Sequence, residues 1–279
     1  PTALPPAAPR SRTLTPPPLP SAVHVEETPE LLPLLTSDEF ADFVHVSHVS
    51  SEEDDARPHT GGDGNYNSLM RRQEAQVRRG LREAARDDVD WLFHIDDDEL
   101  LHFAEPFQAL LASVPPTAAC VVLQNVEGIP SDVDSTCIFA DIHVFMKDVH
   151  KLLSYANGKA AGRVGACTWL GPHRYTGASH VIETSRACLL HFESCTYEAW
   201  RNKFAKHREM DAASKARIPF PFYRESISLF QRHPDGGKDE ELWKDFFQKR
   251  KIDAMHRLPE AMKLRVNVKY PPPQMINVL

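Results

Sequence analysis

Strand-like and helix-like patterns of hydrophobic and polar residues alternate along this chain from about residue 23 to residue 230. Residues 43–49 alternate apolar and polar side chains, which is typical of a half-buried strand. Residues 67–86 repeat apolar side chains at helical spacing and carry arginines on their other faces. Further strands are predicted at residues 91–95, 118–125, 138–145 and 189–192, and further helices at residues 28–35, 105–113, 197–214 and 239–261. This alternation predicts an α/β sheet, which binds its ligands beyond the carboxyl ends of its strands.

Two segments flank this predicted domain. Residues 1–22 are rich in proline and offer little to bury, so we expect a disordered linker there. Residues 231–279 are predicted to form a helical extension and a tail beyond the α/β domain of residues 23–230. Only a short run at residues 22–26 comes before the first predicted helix.

Composition narrows the possible function classes. The chain has 279 residues, of which 42% are hydrophobic and 25% charged, and it can therefore build one large core. Its net charge of −7 argues against a general nucleic-acid binder, which needs a basic surface. No apolar run approaches the roughly 20 residues that cross a bilayer, and no signal peptide or membrane anchor is visible. The five cysteines are spread out and do not imply a disulfide framework.

The strongest chemical signal is the run Asp96, Asp97, Asp98 and Glu99, which directly follows the apolar residues 91–95. Like charges held together repel one another, and burial disfavours their charged forms. A divalent cation relieves both effects, and carboxylate oxygens suit Mg²⁺ or Mn²⁺, which often take substrate phosphates as further ligands. We therefore predict an Asp-x-Asp metal site for a phosphate-bearing substrate. The alternative is a solvated acidic loop that caps the next helix.

Two later segments carry groups that suit the same chemistry. Residues 155–177 combine glycines with Lys159, Arg163 and His173, so that the backbone and the cations can approach a diphosphate closely. The alternative for this segment is a pair of surface turns. His191 ends an apolar run, where an imidazole is either a satisfied core residue or a third protein ligand to Mn²⁺.

Taken in order, these segments resemble the glycosyltransferases of the GT-A fold, especially the family 2-like and family 92-like groups. The resemblance covers roughly residues 23–230 and is carried by Asp90-Trp-Leu-Phe-His-Ile-Asp-Asp-Asp-Glu-Leu, Asn157-Gly-Lys159 with Arg163, Gly171-Pro-His173 with Gly177, and Leu190-His191-Phe192. It implies a GT-A-like mixed sheet flanked by helices. It also implies that Asp96 and Asp98 hold the metal and the donor diphosphate, with His191 as a further ligand. The strand–helix–strand unit with which such domains open is expected to be absent or truncated here.

The reaction implied by this resemblance is transfer of a hexose from a nucleotide diphosphate sugar to a glycan or another hydroxyl acceptor. Mn²⁺ or Mg²⁺ would neutralise the charge that develops on the leaving diphosphate, and Lys159 and Arg163 would assist. An inverting enzyme also needs a base for the acceptor, for which Glu127 is the first candidate and Asp132 and Asp134 are others. An upstream membrane anchor would place the protein in the Golgi or another secretory compartment.

Two other functions remain open from the sequence. Haloacid-dehalogenase-type phosphatases also use an apolar strand that ends in Asp-x-Asp. Their motif has Thr or Val two residues after the second Asp, at the position that Leu100 occupies here. A degenerate, non-catalytic domain that binds glycans or protein partners is the other alternative, and the expected truncation of the first unit favours it.

Overall fold

The computed structural model describes residues 21–25, 32–37, 44–48, 64–234 and 236–267. It shows a mixed α/β architecture in which mixed sheets are flanked by helices, as predicted. The strands are β1 (Ser21–Val25), β2 (Val44–His48), β3 (Trp91–Phe93), β4 (Glu99–Phe103), β5 (Cys120–Leu123), β6 (Asn125–Ile129), β7 (Val144–Met146), β8 (Lys159–Arg163), β9 (Trp169–Gly171), β10 (Arg174–Tyr175), β11 (Ser179–Ile182), β12 (Ala187–His191) and β13 (Lys263–Arg265). The α-helices are α1 (Leu32–Leu35), α2 (Gly64–Arg86), α3 (Phe107–Ala112), α4 (Ile138–Asp141), α5 (Tyr197–Lys206), α6 (Ala212–Arg217), α7 (Pro221–Arg232), α8 (Gly236–Phe247) and α9 (Ala254–His256).

The N-terminal region contains a strand–helix–strand unit. Strands β1 and β2 pair in parallel, and α1 lies between them in sequence. The first two residues of β1, Ser21 and Ala22, are the last two of the predicted linker, whose residues 1–20 lie outside the described part of the chain. The sequence led us to expect that the opening strand–helix–strand unit is absent or truncated; in the described residues it is represented by two short paired strands and one helical turn.

Two sheets form the centre of the molecule. The first has the order β11-β5-β8-β3, and the second has the order β13-β7-β6-β12-β4. Strands β5 and β6 follow one another directly, and Gln124 is the single residue between them. The chain therefore passes from the first sheet into the second at Gln124. Strands β5 and β3 both run antiparallel to β8, so their carboxyl ends lie on the same side of the first sheet.

Apolar side chains from both sheets and their flanking helices make the core. Val77 and Leu81 of α2 pack with Cys120 and Ala160 against the first sheet. Helix α3 covers the opposite side of that sheet, where Leu110 is buried among residues of β4, β5 and β12. A separate aromatic cluster unites the C-terminal helices and includes Trp200, Phe204, Phe222, Phe230, Trp243 and Phe247. Helices thus cover the faces of the sheets, and the ends of the strands are where a site can form.

Two sequence predictions of single elements were wrong, and in both an aspartate carboxylate accepts backbone N–H groups where a helix begins. Residues 138–145 were predicted as one strand, but α4 precedes β7 there, and the carboxylate of Asp141, the last residue of α4, accepts the backbone N–H groups of Thr136 and Cys137. Residues 197–214 were predicted as one helix, but Asp211 accepts the N–H groups of Ala213 and Ser214 and so starts the separate helix α6.

The C-terminal segment is integrated with the sheets. The predicted boundary at residue 230 falls inside α7, and β13 pairs with β7 at the edge of the second sheet. After α8 the chain continues as a π-helical segment, Gln248–Asp253, that carries the fully buried Lys251 into the interior. In the described part of the chain, no helix has the length and apolar character that crossing a membrane requires.

Candidate functional site

The acidic run forms a turn between the two sheets, because β3 ends at Phe93 and β4 begins at Glu99. The Glu99 carboxylate is buried and accepts the backbone N–H of Asp96 at 2.7 Å, while Glu99 N–H donates to the carbonyl of Asp96 at 3.2 Å. Glu99 therefore closes the turn from the inside. The aspartates of the turn are more accessible, and Asp97 is exposed.

Lys159 lies directly beneath this turn. Its ammonium is 2.7 Å from Asp96 and 3.3 Å from Glu99, and its side chain is 0% exposed. Burial opposes ionisation of Asp96, but the Lys159 ammonium outweighs that effect and lowers the pKa of Asp96. Burial dominates at Glu99 and raises its pKa. An internal cation thus already compensates the first aspartate of the motif, which also accepts a hydrogen bond from Gln73 of α2.

Strand β6 holds the segment that leads to Lys159. Asn125 and Glu127, two residues apart and so on the same face of the strand, both bond to residues 153–158. The Asn125 amide donates to the carbonyl of Tyr155 and accepts from Gly158 N–H. Gly158 has a φ of +65°, and a Cβ there would lie 2.0 Å from the carbonyl oxygen of Leu123. Glycine is therefore required at this crossing, and it fixes where Lys159 enters the site.

A trio of possible ligand groups stands beside this ion pair. Asp98 Oδ2 is 3.6 Å and Glu193 Oε2 is 3.9 Å from His191 Nε2. The three ligand atoms lie within 4.8 Å of one another. Among the described residues, these three side chains form the cluster of His, Cys and acidic groups that could hold a metal ion. Ligand bonds of about 2.0–2.6 Å bring atoms this close around one cation. Phe192 N–H donates to the carbonyl of Asp98 at 2.8 Å and ties the end of β12 to the acidic turn.

The electrostatics of the trio favour a cation. Burial lowers the pKa of His191, but Asp98, Glu193 and Glu99 outweigh it, so the pKa is raised overall. Burial opposes ionisation of Glu193 and so raises its pKa, but Lys203 and His191 outweigh this effect and lower the pKa to about 2. Lys203 contacts both oxygens of Glu193, at 2.9 and 2.7 Å. Two oxygen ligands and one imidazole nitrogen suit Mn²⁺, and oxygens alone suit Mg²⁺.

The structure brings most, but not all, of the predicted site residues together. Lys159 and His173 lie at the site, where His173 Nδ1 is 2.7 Å from the carbonyl of Gly158 and its ring packs 4.7 Å from that of Tyr155. Burial lowers the pKa of His173. Arg163 does not belong to this group, because β8 runs antiparallel to β3 and pairs Arg163 with Trp91 at the start of that strand. Its guanidinium lies 4.3 Å from the centre of the Trp91 ring.

Glu127 is not positioned to act as an acceptor base. It is fully buried in β6, and one carboxylate oxygen pairs with Lys251 Nζ at 2.6 Å. The other oxygen accepts the N–H groups of Leu153 and Ser154 and the hydroxyl of Ser154. With both oxygens engaged and no exposure, it cannot receive a proton from a bound alcohol. Asp132 is exposed and caps the N–H of Asp134 in a surface loop.

Glu193 belongs to the trio but was not among the site residues predicted from the sequence. It stands two residues after His191, in the run Cys188-Leu-Leu-His-Phe-Glu. In an extended segment, residues two apart point to the same side, so an acid at this position next to a candidate histidine ligand was an available signal. Tyr155 was also missed; its hydroxyl donates to Glu99, and its ring packs 4.7 Å from that of His191.

The depressed pKa of Glu193 predicts acid destabilisation of the metal-free protein. The folded-state pKa of about 2 lies below the ordinary 4.5, so its contribution to stability is present above about pH 4.5 and is lost as the pH falls towards 2. We expect Glu193→Gln to flatten this part of the pH profile of the unfolding free energy, measured by denaturant titration with a chelator present. Glu209→Gln, which removes an exposed carboxylate, is the control. A Glu193→Gln profile as steep as that of the parent would contradict the assignment.

Two plant proteins are similar to part of this chain. No family model matches the chain. Glycosyltransferase-like At2g41451 from Arabidopsis thaliana is 26% identical over 159 residues, which cover 46% of this chain and 34% of the relative. Glycosyltransferase-like At3g57200 from the same plant is 24% identical over 159 residues, covering 46% of this chain and 30% of the relative. The similarity supports a glycosyltransferase. The match spans about a third of the length of these relatives.

Proposed function

We propose that this chain is a metal-dependent glycosyltransferase with a GT-A-like fold, which transfers a hexose from a nucleotide diphosphate sugar to a hydroxyl acceptor such as a glycan. The observation that carries the proposal is the trio Asp98, His191 and Glu193, which stands at the carboxyl ends of strands next to the pair formed by Asp96 and the buried Lys159. Ligands of open α/β sheets bind at such strand ends. The similarity to two glycosyltransferase-like proteins supports the reaction class.

The trio fits the proposed ion through its donor chemistry and its spacing. When bound, Mn²⁺ or Mg²⁺ would supply Lewis acidity and neutralise negative charge on a leaving diphosphate. In the proposed assignment, Asp98, His191 and Glu193 hold the ion, and Glu193 keeps its contact with Lys203. Asp96 lies outside this group and pairs with Lys159. This differs from the Asp96, Asp98 and His191 set that the sequence suggested.

The remaining side chains have separate proposed tasks. Lys159 compensates Asp96 and Glu99, so the turn can face an anionic donor without presenting its full negative charge. His173 lies beside Lys159 and is a hydrogen-bonding group for the donor. Its Nδ1 is occupied by the carbonyl of Gly158, which leaves Nε2 for such a contact. Lys203 is half-exposed beside Glu193 and is a second cation close to the trio.

The proposal is tested by measuring release of nucleoside diphosphate from a panel of UDP- and GDP-sugars, with and without acceptor glycans. We expect turnover of at least one donor with Mn²⁺ present. We expect chelation to slow it by at least about 100-fold, since a metal ion typically supplies several kcal/mol of transition-state stabilisation. Re-addition of Mn²⁺ should restore the rate, and a simple phosphate ester should not be turned over.

The alternative functions predict different outcomes of the same assay. Turnover of the phosphate ester that disappears in Asp96→Asn would replace the transferase with a phosphatase. Silence on every donor, in this chain and in an N-terminally extended form, would favour a non-catalytic binding domain. A secretory compartment such as the Golgi remains part of the proposal, to be tested by localising the full-length protein.

A further inference from the structure

His191 is in contact with a row of buried polar groups through its second ring nitrogen. His191 Nδ1 lies 3.4 Å from the hydroxyl oxygen of Ser154, and that hydroxyl donates to Glu127 Oε2 at 3.1 Å. The other oxygen of Glu127 accepts from Lys251 Nζ at 2.6 Å. All four side chains are buried. A continuous polar row therefore runs from the interior to the proposed metal ligand.

The direction of the hydrogen bonds in this row follows from which groups can donate. Lys251 donates only, and the paired carboxylate of Glu127 accepts only. The hydroxyl of Ser154 has a single proton, which it uses to donate a hydrogen bond to Glu127. Ser154 therefore presents a lone pair to His191, and Nδ1 must carry a proton to make a favourable contact. The other nitrogen, Nε2, is the one that faces Asp98 and Glu193.

We propose that Ser154, backed by Glu127 and Lys251, is a positioning residue that holds the ring of His191 by accepting its Nδ1–H, so that Nε2 points towards Asp98 and Glu193. The consequence for metal binding rests on the proposed function above; the hold on the ring does not. A hydrogen bond from the outer nitrogen of a ligating histidine orients the ring and makes the inner nitrogen a better ligand.

The fold places these groups side by side through strand register. His191 of β12 is directly opposite Glu99 of β4 on one side and Glu127 of β6 on the other. Neighbouring residues in register share a face of the sheet, with Cβ atoms about 5 Å apart. Glu127 reaches Ser154 on the loop that follows β7, and the π-helical segment delivers Lys251 from the C-terminal region. Such segments occur often at functional sites.

Stability alone does not account for this arrangement. Two buried charges lose their hydration, and a well-packed apolar pair of the same shape is often as stable or more so. A charged pair does provide an acceptor that is fixed in position and orientation. That property is what the Ser154 hydroxyl requires if it is to accept from His191 and not donate to it.

The inference is tested with Ser154→Ala, which removes the hydroxyl and keeps the backbone N–H that bonds to Glu127. We expect the Mn²⁺ affinity, measured by calorimetry, to fall by about 10-fold or more, as is typical when an outer partner of a ligand is lost. We also expect the Nδ1–H proton of His191, observed by NMR in metal-free protein at mildly acidic pH, to lose its protection from solvent exchange. Ser154→Thr keeps a hydroxyl and should restore both properties.

Ser226→Ala is the matched control, because Ser226 is another buried serine whose hydroxyl accepts from Trp200 in the C-terminal helical cluster. It should leave both measurements unchanged. An unchanged Nδ1–H signal in Ser154→Ala would overturn the inference, whatever happens to the affinity. Loss of protection with unchanged Mn²⁺ affinity would overturn the link to metal binding. A parent protein that binds no Mn²⁺ would refute the proposed metal site, and the NMR result would then decide the positioning role by itself.

Discussion

Replacement of Asp98 by Asn is expected to abolish metal binding and transferase activity together. The substitution keeps the size of the side chain but removes the charge of one of the three proposed ligands, which is also the carboxylate that contributes most to raising the pKa of His191. We expect the Mn²⁺ affinity to fall by on the order of 100-fold or more, beyond the effect of losing an outer-shell partner. Calorimetry with Mn²⁺, with and without a nucleoside diphosphate, measures it directly.

The matched control for this variant is Asp97→Asn, which removes one negative charge from the same turn. Asp97 is exposed and lies outside the trio. The Asp97→Asn variant should change the Mn²⁺ affinity only by the small amount that a screened neighbouring charge contributes. If Asp97→Asn and Asp98→Asn weaken binding equally, the turn attracts cations only by its overall charge, and the ligand assignment is wrong. If Asp96→Asn is the most damaging change, the metal lies at the position that the sequence suggested.

Replacement of Lys251 by Met is expected to be among the most destabilising single changes in the chain. Lys251 and Glu127 are both completely buried and 2.6 Å apart, so the substitution leaves the Glu127 carboxylate without its cation. Removing one partner of a buried ion pair typically costs about 3–5 kcal/mol. The free energy of unfolding from denaturant titration should fall by about this amount at neutral pH.

Two further variants show whether the cause is the uncompensated charge. Lys249→Met lies in the same π-helical segment, but Lys249 is exposed and pairs with Asp245 at the surface, so its effect should be small. The double variant Glu127→Gln/Lys251→Met replaces both charges and should recover most of the lost stability. A loss in Lys251→Met no larger than in Lys249→Met would contradict the ion pair. A double variant as unstable as the single one would assign the loss to packing.

The sequence predicted those parts of the site that depend on neighbouring residues. The acidic turn follows an apolar strand as expected, because the chain pattern of residues 91–99 is itself the signal. Helix α2 was also found from its periodicity, and a strand was predicted at residues 189–192, where β12 lies. Lys159 was predicted as a donor-binding cation from its glycine-rich segment, and it lies next to the acidic turn, where it pairs with Asp96; its role towards a donor stays a prediction.

The assignments that needed the tertiary structure concern which groups face one another. Arg163 is four residues from Lys159 on the same strand, but an extended strand carries it roughly 13 Å away, to Trp91 at the far end of β3. Glu127 was predicted as a catalytic base just past a strand, but it lies within β6 and pairs with Lys251, which is 124 residues further along the chain. The pairing partners of Arg163 and Glu127 cannot be read from the sequence.

The sequence by itself therefore determined the α/β class and the position of the acidic turn. It also proposed the site candidates Asp96, Asp98, Lys159, Arg163, His173, His191 and Glu127. Only the tertiary structure showed that Glu193 lies with Asp98 and His191, and that Asp96 forms an ion pair with Lys159. It also showed that Ser154 contacts both His191 and Glu127. The physical reason is strand register: pairing of β4, β12 and β6 sets Glu99, His191 and Glu127 side by side. Local patterns fix which face of a strand a residue occupies, whereas the partners across the sheet are fixed by the packing of the whole chain.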